Sequence, residues 1–186
     1  MNYLDDREKM FAAAVRCARL EKIDELRDLV EEFDIRGQRS PEGLTFLQHV
    51  SVDGAMGEEL ARFLFCELGL DPMKKPRGSS SFSAFETLVS NGYLYLETAK
   101  ILYLEAKHTP DPGWRNHLGD TVLSALARGE NLTTPTKMIP FLVEEAGIDP
   151  ESVNKEGKTA GYYIAKTYAS PVMFAYWAKY VSPEAM

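Results

Sequence analysis

Between residues 21 and 33 apolar side chains fall at Ile23, Leu26, Leu29, Val30 and Phe33, with Glu21, Lys22, Glu25, Asp28 and Glu32 among them. Steps of three and four place the first set on one side of a 3.6-residue helix and the second on the other, which predicts an amphipathic outer helix. The same spacing predicts a helix capped by Thr45 and running to about Asp53. A partner over residues 58–68 carries Leu60, Phe63, Leu64 and Leu68 on one side and stops at Gly69. Phe85, Leu88 and Val89, followed by residues 94–107, repeat the pair. Residues 122–128 come next, then Thr134 as cap and Pro135 as first helical residue ahead of Phe141, Leu142 and Val143. Pro140 lacks the N–H that an interior helical position uses, so it predicts either a first-turn position or a kink. The chain reads as helix, short loop, helix and polar turn in succession: an all-α protein.

This succession has a period. Gly43-Leu44-Thr45-Phe46-Leu47, Ser81-Phe82-Ser83-Ala84-Phe85, Gly119-Asp120-Thr121-Val122-Leu123 and Gly157-Lys158-Thr159-Ala160-Gly161 each begin 38 residues after the one before. A second landmark keeps step: Asp34-Ile35, Asp71-Pro72, Asp111-Pro112 and Asp149-Pro150, with Gly69-Leu70-Asp71-Pro72 nearly matching Gly147-Ile148-Asp149-Pro150. Two phased markers predict a helical repeat solenoid of about five units, approximately 8–40, 41–78, 79–116, 117–154 and 155–186, forming a single domain over 1–186.

These residues resemble the ankyrin repeat, whose consensus runs approximately D-x-x-G-x-T-P-L-H-x-A-A-x-x-G, an apolar helix, then G-A-D-P-N. Gly43-x-Thr45-x-Leu47 with Gly54, Gly119-x-Thr121-x-Leu123 and Gly157-x-Thr159 carry the likeness, with the Gly-x-Asp-Pro ends. The chain departs from the consensus where Phe46, Ala84, Val122 and Ala160 replace its proline and Gly161 replaces its leucine, and its period is longer. The resemblance implies projecting finger turns, a concave groove of inner helices, and protein binding through both. It also implies that Leu44, Phe82, Asp120 and Lys158 point from the fingers into the groove.

Charge sharpens where a partner would sit. The 186 residues are 45% hydrophobic and 26% charged, with a formal charge of −7, which argues against binding nucleic acid or anionic membrane through the overall field. Yet the first three finger segments carry Arg36, Arg39, Lys74, Lys75, Arg77 and Arg115. That row is either a set of solvated turns or a stripe for an acidic or phosphorylated protein segment, read by guanidinium forks. Trp114 is either tucked against helices or presented as an anchor; Leu44 and Phe82 complete the candidate partner surface. Ser79, Ser80 and Ser81 follow Arg77 as phosphorylation candidates.

The first helical unit shows a polar outer face, but the last does not: Phe174, Trp177 and Tyr180 fall in a run that is apolar or aromatic on nearly every side. Either the tail encloses this helix or another chain covers it, so the expectation is a monomer or a weak homodimer. No catalytic residue, metal site or cofactor is expected. His49, His108 and His117 lack zinc spacing, Cys17 and Cys66 sit among apolar neighbours, and Gly78-Ser79-Ser80-Ser81 is no phosphate loop. The start lacks a secretory signal pattern and the uncharged stretch 167–178 is too short to span a bilayer. The expectation is a non-enzymatic cytoplasmic binding module, with nuclear or host-cell delivery left open. The alternative is a structural or regulatory subunit that associates through its C-terminal end.

Overall fold

A computed structural model describes residues 3–52, 54, 56–75, 82–132, 135–167 and 171–181, with the backbone alone at 3–5 and 172–174. The described residues are helical, without a strand; Arg39 and Thr45 form an isolated antiparallel bridge. In chain order the helices are α1 (Tyr3–Arg19), α2 (Ile23–Glu32), α3 (Phe46–Val52), α4 (Glu58–Arg62), α5 (Ala84–Ser90) and α6 (Leu96–Lys100). They continue with α7 (Val122–Arg128), α8 (Pro135–Pro140), α9 (Ala160–Thr167) and α10 (Pro171–Trp177). Three of them, α4, α6 and α8, run on into wider π-helical turns at Phe63–Glu67, Ile101–Glu105 and Phe141–Glu145. Leu68, Ala106 and Ala146 then donate five residues back, to the carbonyls of Phe63, Ile101 and Phe141. A periodic apolar pattern does not distinguish four-back from five-back bonding, so these turns were illegible in the sequence.

Each sequence landmark is a local hydrogen-bonding device. Asp34, Asp71, Asp111 and Asp149 each accept, through Oδ1, the N–H two residues on, at Arg36, Met73, Gly113 and Glu151. Thr45, Ser83, Thr121 and Thr159, each 38 residues after the last, accept the N–H three residues on, at Gln48, Glu86, Ser124 and Tyr162. Gln48 and Glu86 answer in kind, taking the N–H of Thr45 at 2.7 Å and of Ser83 at 2.7 Å, so both helices open on a full capping box. Between these devices the chain turns back at Ser40, Asn116 and Asn154, whose N–H groups donate to the carbonyls of Leu44, Asp120 and Lys158. The turn needs left-handed backbone three residues after its start, and Gly43 and Gly119 supply it at φ 82 and 81.

The chain divides into two compact units, Met1–Leu88 with Glu97–Thr109 and Val89–Leu96 with Pro110–Met186. The first packs α1 on α2 and α3 and the two π turns on each other, around Leu26, Phe46, Leu64, Phe65, Phe85 and Leu102. The second packs α7 and α10 on α9, with Leu123, Leu126, Ile139, Phe141, Leu142 and Trp177 buried.

Pro140 falls at the last residue of α8, where the α-helix widens into π turns. Without an N–H it cannot bond the Thr136 carbonyl four residues back. That carbonyl is taken instead by the Tyr176 hydroxyl, at 2.7 Å, so an aromatic residue of α10 closes the gap the proline opens. Gly161 has an equally specific neighbour: a Cβ there would lie 2.3 Å from Trp177 Nε1. The indole occupies the space that a side chain at this position would need.

Candidate functional site

In the first unit four candidate cations converge. Lys74 Nζ donates to the Arg36 carbonyl at 3.5 Å, and Arg39 donates through Nη1 to Gly43 O at 3.0 Å and through Nη2 to Lys75 O at 3.5 Å. Arg36 pairs with Asp34 at 2.7 Å, which holds the Asp34 carboxyl below its usual range, chiefly through that side-chain hydrogen bond. Lys75 lies 3.4 Å from the buried Glu86 carboxylate. The basic turn is thus partly self-neutralised. The partners of Arg39 are carbonyls, which orient its guanidinium and leave its charge intact. Leu44 is half-buried beside Ser40, whereas Phe82 is 46% exposed, with its carbonyl accepting from Gln48 Nε2 at 2.6 Å.

Arg39 also lines a cleft of about 680 Å³ between α1 and this turn. Phe11, Val15 and Phe33 form its apolar floor and are themselves buried. Arg7, Arg16, Arg19 and Arg39 stand on its walls against two acids, Glu8 and Glu42. The Arg7 guanidinium lies 6.0 Å from the Phe33 ring centroid, and Arg19 donates to the His49 carbonyl at 3.4 Å. His49 meets Phe11 edge-on, with ring centroids 5.6 Å apart. Glu42 is held below the usual carboxylate range, first by the Ser40 hydroxyl and then by its own N–H. The α1 residues of this cleft are not among the sequence candidates, since the sequence pattern places Cys17 on a helix but assigns no binding face before Arg36. The signal was present: positions 7, 8, 11, 12, 15, 16 and 19 recur at three- and four-residue steps.

The candidates of the second unit sit differently. Trp114 is half-buried, and Arg115 is exposed, donating through Nη1 to the carbonyls of Gly113 and Trp114 and through Nη2 to Ser152 Oγ at 2.8 Å. Asp120, expected to point into a groove, is instead fully buried, which corrects that reading. It accepts from Asn154 Nδ2 at 2.6 Å and lies 3.4 Å from Arg128 Nη1 and from Asn116 Nδ2. Three donors pull the carboxylate inward. Trp177 is 3% exposed inside its own unit, while Tyr180 is half-buried and donates to Glu144 Oε1 at 2.8 Å. Arg77, Ser79, Ser80, Ser81, Thr134 and the side chain of Phe174 lie outside the described residues.

The two cysteines lie apart from these turns. Cys17 is buried and Cys66 half-buried, both as free thiols, and burial pushes the Cys66 thiol up, away from thiolate chemistry. Among the described residues no group of three or more His, Cys, Asp and Glu side chains is placed to hold a metal, and no helix is long and apolar enough to cross a membrane. No protein-family model matches the chain, and no curated protein matches it. Among solved structures it is similar to one chain of the complex between a predatory endopeptidase from Bdellovibrio bacteriovorus and an immunity protein. Identity is 19%, coverage is 90% of this chain and 97% of that one, and the TM-score is 0.48. A likeness at that level carries neither the activity nor the partner of that complex to this chain.

Proposed function

We propose that the chain is a divergent ankyrin-repeat solenoid of about five units, and that it serves as a non-enzymatic module binding another protein through its turns and inner-helix groove. Four helix caps at a constant 38-residue interval, each preceded by an Asx turn, support the repeat reading. The binding reading rests on one observation above the rest: in a chain of formal charge −7, Arg36, Arg39, Lys74 and Lys75 gather around the first turns. A local basic surface on an acidic protein steers an acidic or phosphorylated protein segment while repelling nucleic acid and anionic lipid at long range.

The test is affinity capture from cell extract with the wild-type chain beside an Arg36→Glu, Lys74→Glu, Lys75→Glu variant whose helicity is verified by circular dichroism. Loss of one partner from the folded variant, with slower association at raised salt for the wild type, is the expected result. A partner retained at equal strength and equal rate by both proteins refutes the turns as its binding surface.

A further inference from the structure

The cleft between α1 and the first turn has a shape and charge pattern that name its occupant more closely. Resting on the protein-binding reading above, we propose that this cleft holds a short extended acidic segment of a partner protein, with one bulky apolar side chain on the Phe11, Val15 and Phe33 floor and carboxylates on either side of it. Arg7 and Arg19 are separated by about 18 Å of helix at 1.5 Å per residue, a distance that one carboxylate or one phosphate does not span but about five extended residues do. The volume of about 680 Å³ admits one large side chain with its flanking backbone. Four guanidiniums against two carboxylates make the walls cationic inside an anionic chain, so spaced acids are drawn in. A continuous polyphosphate fits poorly, because Glu8 and Glu42 interrupt the walls, and the Ser40 hydrogen bond favours the ionised form of Glu42. Arg39 reaches the cleft already oriented by the Gly43 carbonyl, which reduces the entropy lost on gripping a carboxylate.

The experiment pans a phage-displayed library of random twelve-residue peptides on the full-length chain. Fluorescence polarisation then measures the enriched peptides against wild type, Arg16→Glu and Lys74→Glu/Lys75→Glu, with a single-stranded oligonucleotide as a competing probe. The inference expects peptides with one aromatic or large aliphatic residue flanked by Asp or Glu. Affinity should fall by about tenfold or more in Arg16→Glu and with rising salt, and by clearly less in the lysine double variant, whose charges steer the same acidic segment from outside the cleft lining. Arg16 is an exposed helix residue, so its reversal leaves the fold in place, and Arg7→Glu gives an independent second reading of the same wall. Neutral or basic consensus peptides, preferential oligonucleotide binding, or no enrichment overturn the cleft assignment. Acidic peptides that survive Arg16→Glu but are lost in the lysine variant overturn the cleft while leaving the turns as a protein-binding surface. Absence of peptide binding and of any captured partner removes both readings.

Discussion

In the first unit the turn at Ser40 closes on a single hydroxyl, which takes the Leu44 N–H at 3.3 Å and engages Glu42, and the neighbouring Arg39 stays half-exposed beside a cleft. In the second unit the same turn, at Asn116 and Asn154, closes on an amide. The Oδ1 of Asn154 accepts from both Glu156 and Lys158, and its Nδ2 donates to the buried Asp120 and to Tyr163 Oη. A serine holds the turn locally; an asparagine holds it and reaches on to the next side chain. At this turn the polar side chains of the second unit bond to one another, whereas in the first Arg39 is held by the backbone carbonyls of Gly43 and Lys75 and lines the cleft. One device thus closes on a buried side-chain network in the second unit and beside a cleft in the first.

The largest break in this comparison comes from Asp120→Ala. It strips the buried amide of Asn154 and the guanidinium of Arg128 of their shared acceptor, and the expected loss is about 3 kcal/mol, read from the urea midpoint. Leu44→Ala, at the corresponding position of the first unit, is expected to lose only about 1 kcal/mol because Leu44 is already half-exposed to water. Equal losses would erase the distinction. Next in size is Gly161→Ala, where the new methyl displaces the Trp177 indole. A loss of about 2 kcal/mol with a red-shifted tryptophan emission is expected, and unchanged emission would contradict the contact.

Tyr176→Phe removes the donor to the Thr136 carbonyl, for about 1 kcal/mol, and combining it with Pro140→Ala should recover part of that loss by restoring a backbone N–H. A double-mutant cycle measures the recovery; strict additivity would show that the tyrosine does not compensate for the proline.

The smallest effect is in pH. In the first unit Asp34 and Glu67 are held below their usual values, chiefly by hydrogen bonds from Arg36 and Arg27. Their contribution is present above the unfolded carboxylate values of about 4 and is lost as pH falls through the folded ones. In the second unit Tyr163 and Tyr180 are pushed up, first by burial and, for Tyr180, by donating to Glu144. Their contribution is present below the unfolded value of about 10 and is lost as pH rises through the folded ones. Ultraviolet titration should show Tyr163 and Tyr180 ionising late, with one late-ionising group fewer in Tyr180→Phe. Arg36→Gln should instead flatten the acid side of the stability profile.

Much of the helix pattern was legible because the Asp, Thr, Ser and Gly landmarks act within two to four residues of themselves. Asp71 finds the Met73 N–H and Thr121 the Ser124 N–H whatever the rest of the chain does. The basic turn was legible as composition, since Lys74 and Lys75 stand together. Its partial neutralisation by Glu86 was not, because that carboxylate comes from the capping box of the following helix. The cleft was missed for a related reason: α1 bears no landmark, and its arginines gain meaning only opposite Arg39.

Sequence by itself determined the all-α character, the 38-residue beat and the residues that start and stop each turn, because each depends on bonds between near neighbours along the chain. Tertiary structure alone decided the rest. Asp120 is inside because Asn154 arrives from 34 residues away, and Pro140 is tolerated because Tyr176 arrives from beyond α9. The cleft exists because α1 packs beside the first turn. A side chain's burial and charge environment depend on groups brought close by packing, and local spacing carries no record of which distant groups those will be.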